Sequence, residues 1–168
     1  MIPIENNVGS FTIDHTNLYS GIYIAREGNG FTTYDLRVTS PNKEPAMDPS
    51  GAHSMEHLLA TWFRNSRIKE HVVALDGMMC LTGFYLILDY KLSELEVRDL
   101  MIEALNWILN QTEVPATEPA TCGNYLLHNL DNCKFYAEKY LHWLIHDFSC
   151  EYKKLQVVTK DGLTFQDS

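Results

Sequence analysis

The sequence predicts a single α+β domain, an antiparallel and partly barrel-like sheet with helices packed on one side. Three observations lead there. The 168 residues suit one domain, and 45% hydrophobic with 21% charged residues suffices for a packed core. The first forty residues read as β structure, whereas most of the chain after residue 90 carries helical periodicity. Strands and helices alternate irregularly, with hairpin-like strand pairs, which fits α+β better than a doubly wound parallel sheet.

Gly21-Ile22-Tyr23-Ile24-Ala25 is a short apolar run closed by the turn signal Glu27-Gly28-Asn29-Gly30. Thr33 to Val38 alternates strictly, with Tyr34, Leu36 and Val38 on one face and Thr33, Asp35 and Arg37 on the other. Ser40 to Pro45 and Asp48-Pro49-Ser50-Gly51 are loop chemistry. A helix is expected from about Ala52 to Asn65, with an apolar stripe of Leu58, Leu59, Trp62 and Phe63. Val72 to Leu75 reads as a short strand and Leu81 to Tyr90 as a longer one, in which Gly83 marks a bulge or a close backbone approach. Ser93, with Glu96 three residues on, opens a second helix through a capping box, and Val97, Leu100, Met101, Ala104, Leu105 and Ile108 form its buried face. Pro115 and Pro119 break the chain before Cys122, and a third helix is expected over Asp131 to Phe148. Leu155 to Ser168 reads as a small hairpin around Asp161-Gly162 or a loose tail.

A net charge of −9 without any run of lysine or arginine argues against nucleic acid and anionic membrane surfaces as partners. Met1 to Asn7 lacks the basic region and apolar core of a signal peptide, and no apolar run approaches the roughly 20 residues of a spanning helix. The expectation is a soluble cytoplasmic protein. In a reducing cytosol the cysteines at 80, 122, 133 and 150 do not form disulfides, and their spacing contains no C-x-x-C pair. Buried thiols, metal thiolates and catalytic thiols remain.

His53 and His57 are four residues apart, so a helix places both imidazoles on one face, one turn apart. Two such nitrogens can bind one ion at about 2.0–2.1 Å. Glu56 lies on the same side, near the ion without ligating it, and a carboxylate so placed can move protons to and from a metal-bound group. The order H-x-x-E-H is that of the inverzincin proteases. The same spacing also serves a helix that merely displays two histidines, so a third ligand decides the matter. Cys122, after a proline-containing loop and before Gly123, is the best candidate; a Cys-Gly pair is otherwise a turn with a buried thiol. Two imidazoles and a thiolate suit zinc or iron(II) and leave a fourth position for water or substrate. Cys80 begins a strand between glycines, where a thiol near a cation can act as acid or base; packed with Met78, Met79 and Leu81 it would be a core residue instead. Cys133 and Cys150 read as packing residues.

From about Val8 to Trp143 the chain resembles the S-ribosylhomocysteine lyase (LuxS) family. Ser10-Phe11-Thr12-Ile13-Asp14-His15 resembles its Ser-Phe-x-x-Asp-His segment, and Tyr34-Asp35-Leu36-Arg37 with Pro41-Asn42-Lys43 its strand and loop. His53 to Leu59 matches H-x-x-E-H-L-L, Cys80 with Thr82 to Leu86 its cysteine segment, and Cys122-Gly123 with His128 and Leu130 its third-ligand segment. Five short motifs in one order and at similar spacing make a specific signal. The resemblance implies a metallopeptidase-related fold over residues 1–150, with residues 151–168 a C-terminal extension of unassigned role. It implies one divalent ion per subunit, iron(II) or else zinc or cobalt, held by His53, His57 and Cys122. Glu56 and Cys80 would be the acid/base pair, and Ser10, His15 and Arg37 would shape the substrate pocket. The implied protein is a homodimer with sites at the subunit interface. Its reaction cleaves the thioether of S-ribosylhomocysteine to homocysteine and dihydroxypentanedione, the precursor of a quorum-sensing autoinducer.

Met79 and Leu81 depart from the family pattern, which has glycine before the cysteine and glutamine or arginine after it, and Gly77-Met78 replaces a proline-methionine pair. Extra bulk there is expected to reshape the pocket. Two other readings stand beside the lyase: a non-catalytic metal-binding relative, and a reversed-motif metallopeptidase, which ordinarily takes a downstream glutamate where this chain has Cys122.

Overall fold

The computed structural model of the chain describes residues 9–152, 157–159 and 162–164. In chain order the elements are β1 (Gly21–Gly28), β2 (Phe31–Arg37), α1 (Pro49–Asn65), β3 (Val72–Gly77), β4 (Gly83–Leu88), α2 (Glu94–Leu109), α3 (Leu130–His146), β5 (Val157–Thr159) and β6 (Gly162–Thr164). Two short 3-10 turns, Gly9–Thr12 and Lys69–His71, punctuate them. The first four strands form one antiparallel sheet in the order β1-β2-β4-β3, and the three helices pack against it. The single α+β domain read from the sequence is therefore the observed architecture.

Alternation on β2 drives the packing. Tyr34, Leu36 and Val38 are all fully buried and join one apolar cluster with Met55, Leu58, Leu59 and Phe63 of α1, the six predicted residues of α2, and Ala137, Tyr140 and Leu144 of α3. Each such side chain taken out of water contributes roughly 1.5–3 kcal/mol. The opposite face of β2 is not a solvated one: Asp35 and Arg37 are also buried, at 1% and 3% exposure.

Helix boundaries show where local chemistry outweighs periodicity. α1 starts at Pro49, three residues before the expected Ala52, because the Asp48 carboxylate accepts the Ser50 and Gly51 N–H groups and Pro49 fills the first helical position. What reads as loop chemistry is thus a helix cap. The Ser93–Glu96 capping box opens α2 as the sequence predicts. α3 runs from Leu130, capped by Asn129, to His146, two residues short of the expected end. Val157 pairs with Thr164 and Thr159 with Gly162, so the tail contains the hairpin strands; Asp161, Lys160 and residues 153–156 and 165–168 lie outside the described residues.

Two features position the site. The segment after α3 returns along β1, where Ser149 accepts the Ile22 N–H at 2.9 Å and Tyr152 stacks on Tyr23 with ring centroids 4.6 Å apart. Gly83, paired with Arg37, lies so close to β2 that an added β-carbon would stand 2.4 Å from the Leu36 carbonyl oxygen. It is the close backbone approach that the sequence flagged. Gly83→Ala is expected to destabilise the fold by about 2–3 kcal/mol through overpacking against backbone, measured as a lowered urea midpoint at unchanged m-value; an unaltered midpoint contradicts the contact.

Candidate metal centre and active site

The His53–His57 face of α1 meets the loop between α2 and α3. Thr121 and Cys122 N–H both bond the Glu118 carbonyl, and this turn after the proline-containing loop delivers a buried Cys122. Its sulfur lies 3.5 Å from His53 Nε2 and 3.6 Å from His128 Nε2. One donor atom from each of His53, His57, Cys122 and His128 falls within 4.8 Å of the others.

The hydrogen bonds around this quartet decide its protonation pattern. His53 Nδ1 faces the Leu127 carbonyl and His57 Nδ1 the Pro115 carbonyl, each at 2.9 Å. A carbonyl only accepts, so both Nδ1 atoms carry a proton, and in the neutral ring that tautomer leaves the lone pair on Nε2. The Ser54 hydroxyl donates to the Ser50 carbonyl and accepts the Asn129 N–H, which leaves it accepting from His128 Nδ1 at 3.3 Å. Burial, followed by the proximity of His53 and His57, pushes the His128 imidazole below its ordinary value. In their neutral form the three imidazoles turn Nε2 lone pairs inward beside a thiol. Tetrahedral ligation at ordinary Zn–N and Zn–S lengths requires N···S edges of about 3.6 Å, the spacing found here, so the residues fit a divalent ion.

His128 is the donor that sequence reasoning left out of the ligand set. It was visible in the Cys122-Gly123…His128 segment, but a loop spacing carries no periodicity to show that it turns inward. The fourth position expected for water or substrate has an imidazole beside it.

A cavity of about 430 Å³ opens over this centre, lined by Met47, Ala52, His53, Glu56, Phe84 and the Gly77–Met79 ridge among others. Glu56 faces that ridge: a β-carbon on Gly77 would lie 3.9 Å from Glu56 Oε2. Across it a second cavity of about 570 Å³ gathers Ser10, His15, Arg37 and Cys80. Of the predicted residues, His53 and Glu56 thus line one cavity and Cys80, Ser10, His15 and Arg37 the adjoining one, while His57 and Cys122 join His53 in the donor cluster. His15 Nδ1 donates to the Ile13 carbonyl at 2.9 Å, by the same reasoning.

Cys80 rides on the turn joining β3 to β4, closed by Leu81 N–H to the Met78 carbonyl at 2.9 Å and Met78 N–H to the Gly83 carbonyl at 3.0 Å. Leu81 adopts φ 56°, a conformation costing a leucine roughly 1–2 kcal/mol; its carbonyl accepts the Met47 N–H and its side chain packs on the core. Met79 is 97% exposed. Met79 lines both cavities and Leu81 the first, so the positions where reshaping is expected lie in the cavity walls.

Behind Cys80 runs a buried polar row. Tyr152 Oη donates to Asp35 Oδ2 at 2.8 Å, Arg37 Nη2 donates to the same oxygen at 2.5 Å, and Arg37 Nη1 donates to Thr82 Oγ1 at 2.5 Å. Thr82 Oγ1 lies 3.1 Å from Cys80 Sγ, and Arg37 Nη1 lies 4.0 Å from it. Burial opposes the Arg37 charge, but Asp35 outweighs it and holds the guanidinium above its usual value. Burial alone pushes the Cys133 thiol up to about 12, which agrees with its reading as a packing residue.

The fold and site define an α+β protein with a His/Cys cluster that could hold one metal ion, a carboxylate in the cavity beside it and an exposed thiol across the ridge. The family model for S-ribosylhomocysteinase (LuxS) matches residues 8–150. Proteins named S-ribosylhomocysteine lyase are similar over most of their length. That of Phocaeicola vulgatus is 39% identical over 164 residues, covering 94% of this chain and 96% of its own. That of Porphyromonas gingivalis is 38% identical with 95% and 98% covered, and that of Finegoldia magna 42% identical with 82% and 90% covered. The chain belongs to the S-ribosylhomocysteinase (LuxS) family.

Two outcomes follow from the geometry. Purified protein is expected to carry one divalent ion per chain by elemental analysis. His53→Ala, His57→Ala or Cys122→Ala should abolish that stoichiometry, and His128→Ala should weaken affinity by roughly 10–100-fold; full loading of all four variants would refute the centre. Iodoacetamide at about pH 8 should label Cys80 and spare Cys133 in the folded protein, because a thiol with so raised a value stays protonated there, and peptide mapping reads the difference.

Proposed function

We propose that the protein is an S-ribosylhomocysteine lyase, releasing homocysteine and dihydroxypentanedione, the autoinducer precursor. The observation that carries the reading is the conjunction of the His53–His57–Cys122 donor set with Glu56 on one side of the Gly77–Met79 ridge and Cys80 on the other. The names and coverage of the relatives support the substrate.

Chemical logic assigns the roles. The sulfur sits on C5 of the sugar, where the C–S bond does not hydrolyse readily. Moving the carbonyl from C1 through C2 to C3 makes the C4 proton acidic, and β-elimination then expels the thiol. The atoms of substrate equal those of the two products, so no oxidant and no net water are consumed. A divalent ion held by His53, His57 and Cys122 supplies Lewis acidity to the sugar oxygens. Glu56 moves protons to and from those oxygens, while Cys80 takes and returns the carbon-bound protons. Arg37 stabilises negative charge on Cys80 and, with Ser10 and His15, orients the sugar. The ion is iron(II), with zinc or cobalt able to replace it. Leu126 and Met79, exposed at 79% and 97% beside the cavities, support a homodimer whose second copy covers the sites. Residues 1–150 form the catalytic domain and 151–168 an extension, in a cytoplasmic enzyme of the methyl cycle.

Metal-loaded protein given S-ribosylhomocysteine should release free thiol at a rate readable with a thiol reagent. Cys80→Ala and Glu56→Gln should each lower that rate by at least about 100-fold, in the range of a lost acid/base group, while retaining the ion. Absence of homocysteine from the loaded wild type would leave a non-catalytic metal-binding relative as the better description.

A further inference from the structure

The hydroxyl of Thr82 is fixed in direction by its neighbours. Arg37 has donors only, so the 2.5 Å contact from Nη1 makes Thr82 Oγ1 the acceptor. The single hydroxyl hydrogen points away from that contact, and Cys80 Sγ lies within reach at 3.1 Å; when the sulfur is a thiolate, which has no hydrogen to give, Thr82 is the donor. Arg37 cannot swing away, because Nη2 is tied to Asp35, which also receives Tyr152. Thr82 itself is 8% exposed, and its carbonyl is clamped by the Val38 and Thr39 N–H groups at 3.0 and 3.1 Å. The oxygen is therefore held within reach of the sulfur.

We propose that Thr82 is a positioning residue for Cys80: its hydroxyl, oriented by Arg37, donates to the sulfur and holds it as the proton acceptor facing the cavity shared with Ser10 and His15. The proposal rests on the reading of Cys80 as a carbon acid/base. A hydrogen bond to sulfur favours the anionic over the protonated form, since it is stronger to a charged acceptor. The charged and titratable groups around the sulfur are Arg37 and Asp35 of β2, Tyr85 of β4, His15 in the segment before β1, and Tyr152 after α3. Arg37 is the one permanent cation among them and stands 4.0 Å from the sulfur, so Thr82 carries its influence through a shorter bridge.

The test is the pH dependence of Cys80 alkylation by iodoacetamide in the metal-loaded protein, followed by peptide mapping. It reads the sulfur directly and needs no turnover. Thr82→Val is expected to slow alkylation about tenfold at about pH 7 while reaching the wild-type plateau at high pH, the size expected for losing a hydrogen bond to a charged acceptor. Thr82→Ser, which keeps the hydroxyl, should restore the wild-type profile. A Thr82→Val profile identical to wild type overturns the proposal, as does a loss that persists at the high-pH plateau or a failure of serine to rescue. If Cys80→Ala instead retains turnover, the catalytic reading fails while the alkylation result stands on its own.

Discussion

The buried Arg37 guanidinium is the interaction on which the rest of the site depends. It joins three otherwise separate parts of the chain: β2, which carries it; the β3–β4 turn, through Thr82; and the segment after α3, through Asp35 and Tyr152. A buried pair of this kind contributes little net stability, yet removing one partner costs about 3–5 kcal/mol because the other charge is stranded. Its value is specificity. With Asp35 and Thr82 both engaged, the guanidinium ties the Cys80 turn to β2.

The metal side rests on a different constraint, the fixing of imidazole tautomers by backbone. Asp48 caps α1 and sets where the helix begins, and the buried Met55, Leu58, Leu59 and Phe63 set which face His53 and His57 occupy. The loop carbonyls of Pro115 and Leu127 then choose which nitrogen of each ring keeps its lone pair. Such partners orient ligands and raise their basicity. Pro115 and Pro119, which the sequence shows only as chain breakers, lie in the loop that supplies one of these carbonyls and the Cys122 turn.

Much of this was legible beforehand, and the omissions have physical reasons. The capping box at Ser93, the buried face of α2 and the close approach at Gly83 all follow from local rules. The ligand pair on α1 follows from helical spacing, and the third donor and the thiol from their order along the chain. The start of α1 was missed because Asp48-Pro49 serves equally as a turn and as a cap. His128 was seen but not placed, since inward direction in a loop depends on Ser54, a residue 74 positions away. Asp35 appeared only as an alternating polar residue; its burial depends on Tyr152, 117 positions away. Long-range burial of polar groups leaves no periodic trace in sequence.

The separation of the two cavities bears on how the proposed reaction is divided. Carbonyl migration along a sugar requires protons to be moved on oxygen and on carbon at successive positions of one chain. A single group would need to follow the reacting atoms. Two groups on opposite sides of the Gly77–Met79 ridge can instead serve the two kinds of atom while the substrate stays anchored. Glu56 lies beside the donor set, where oxygens would gather. Cys80 lies away from it, backed by Arg37 and Thr82, where an accessible sulfur can meet a carbon-bound proton. The ridge ends in glycine at its Glu56 side, and a β-carbon there would take up space between the carboxylate and the Phe84 ring. The Gly77 position, where the family has proline, therefore keeps that passage at least as open as the family pattern does.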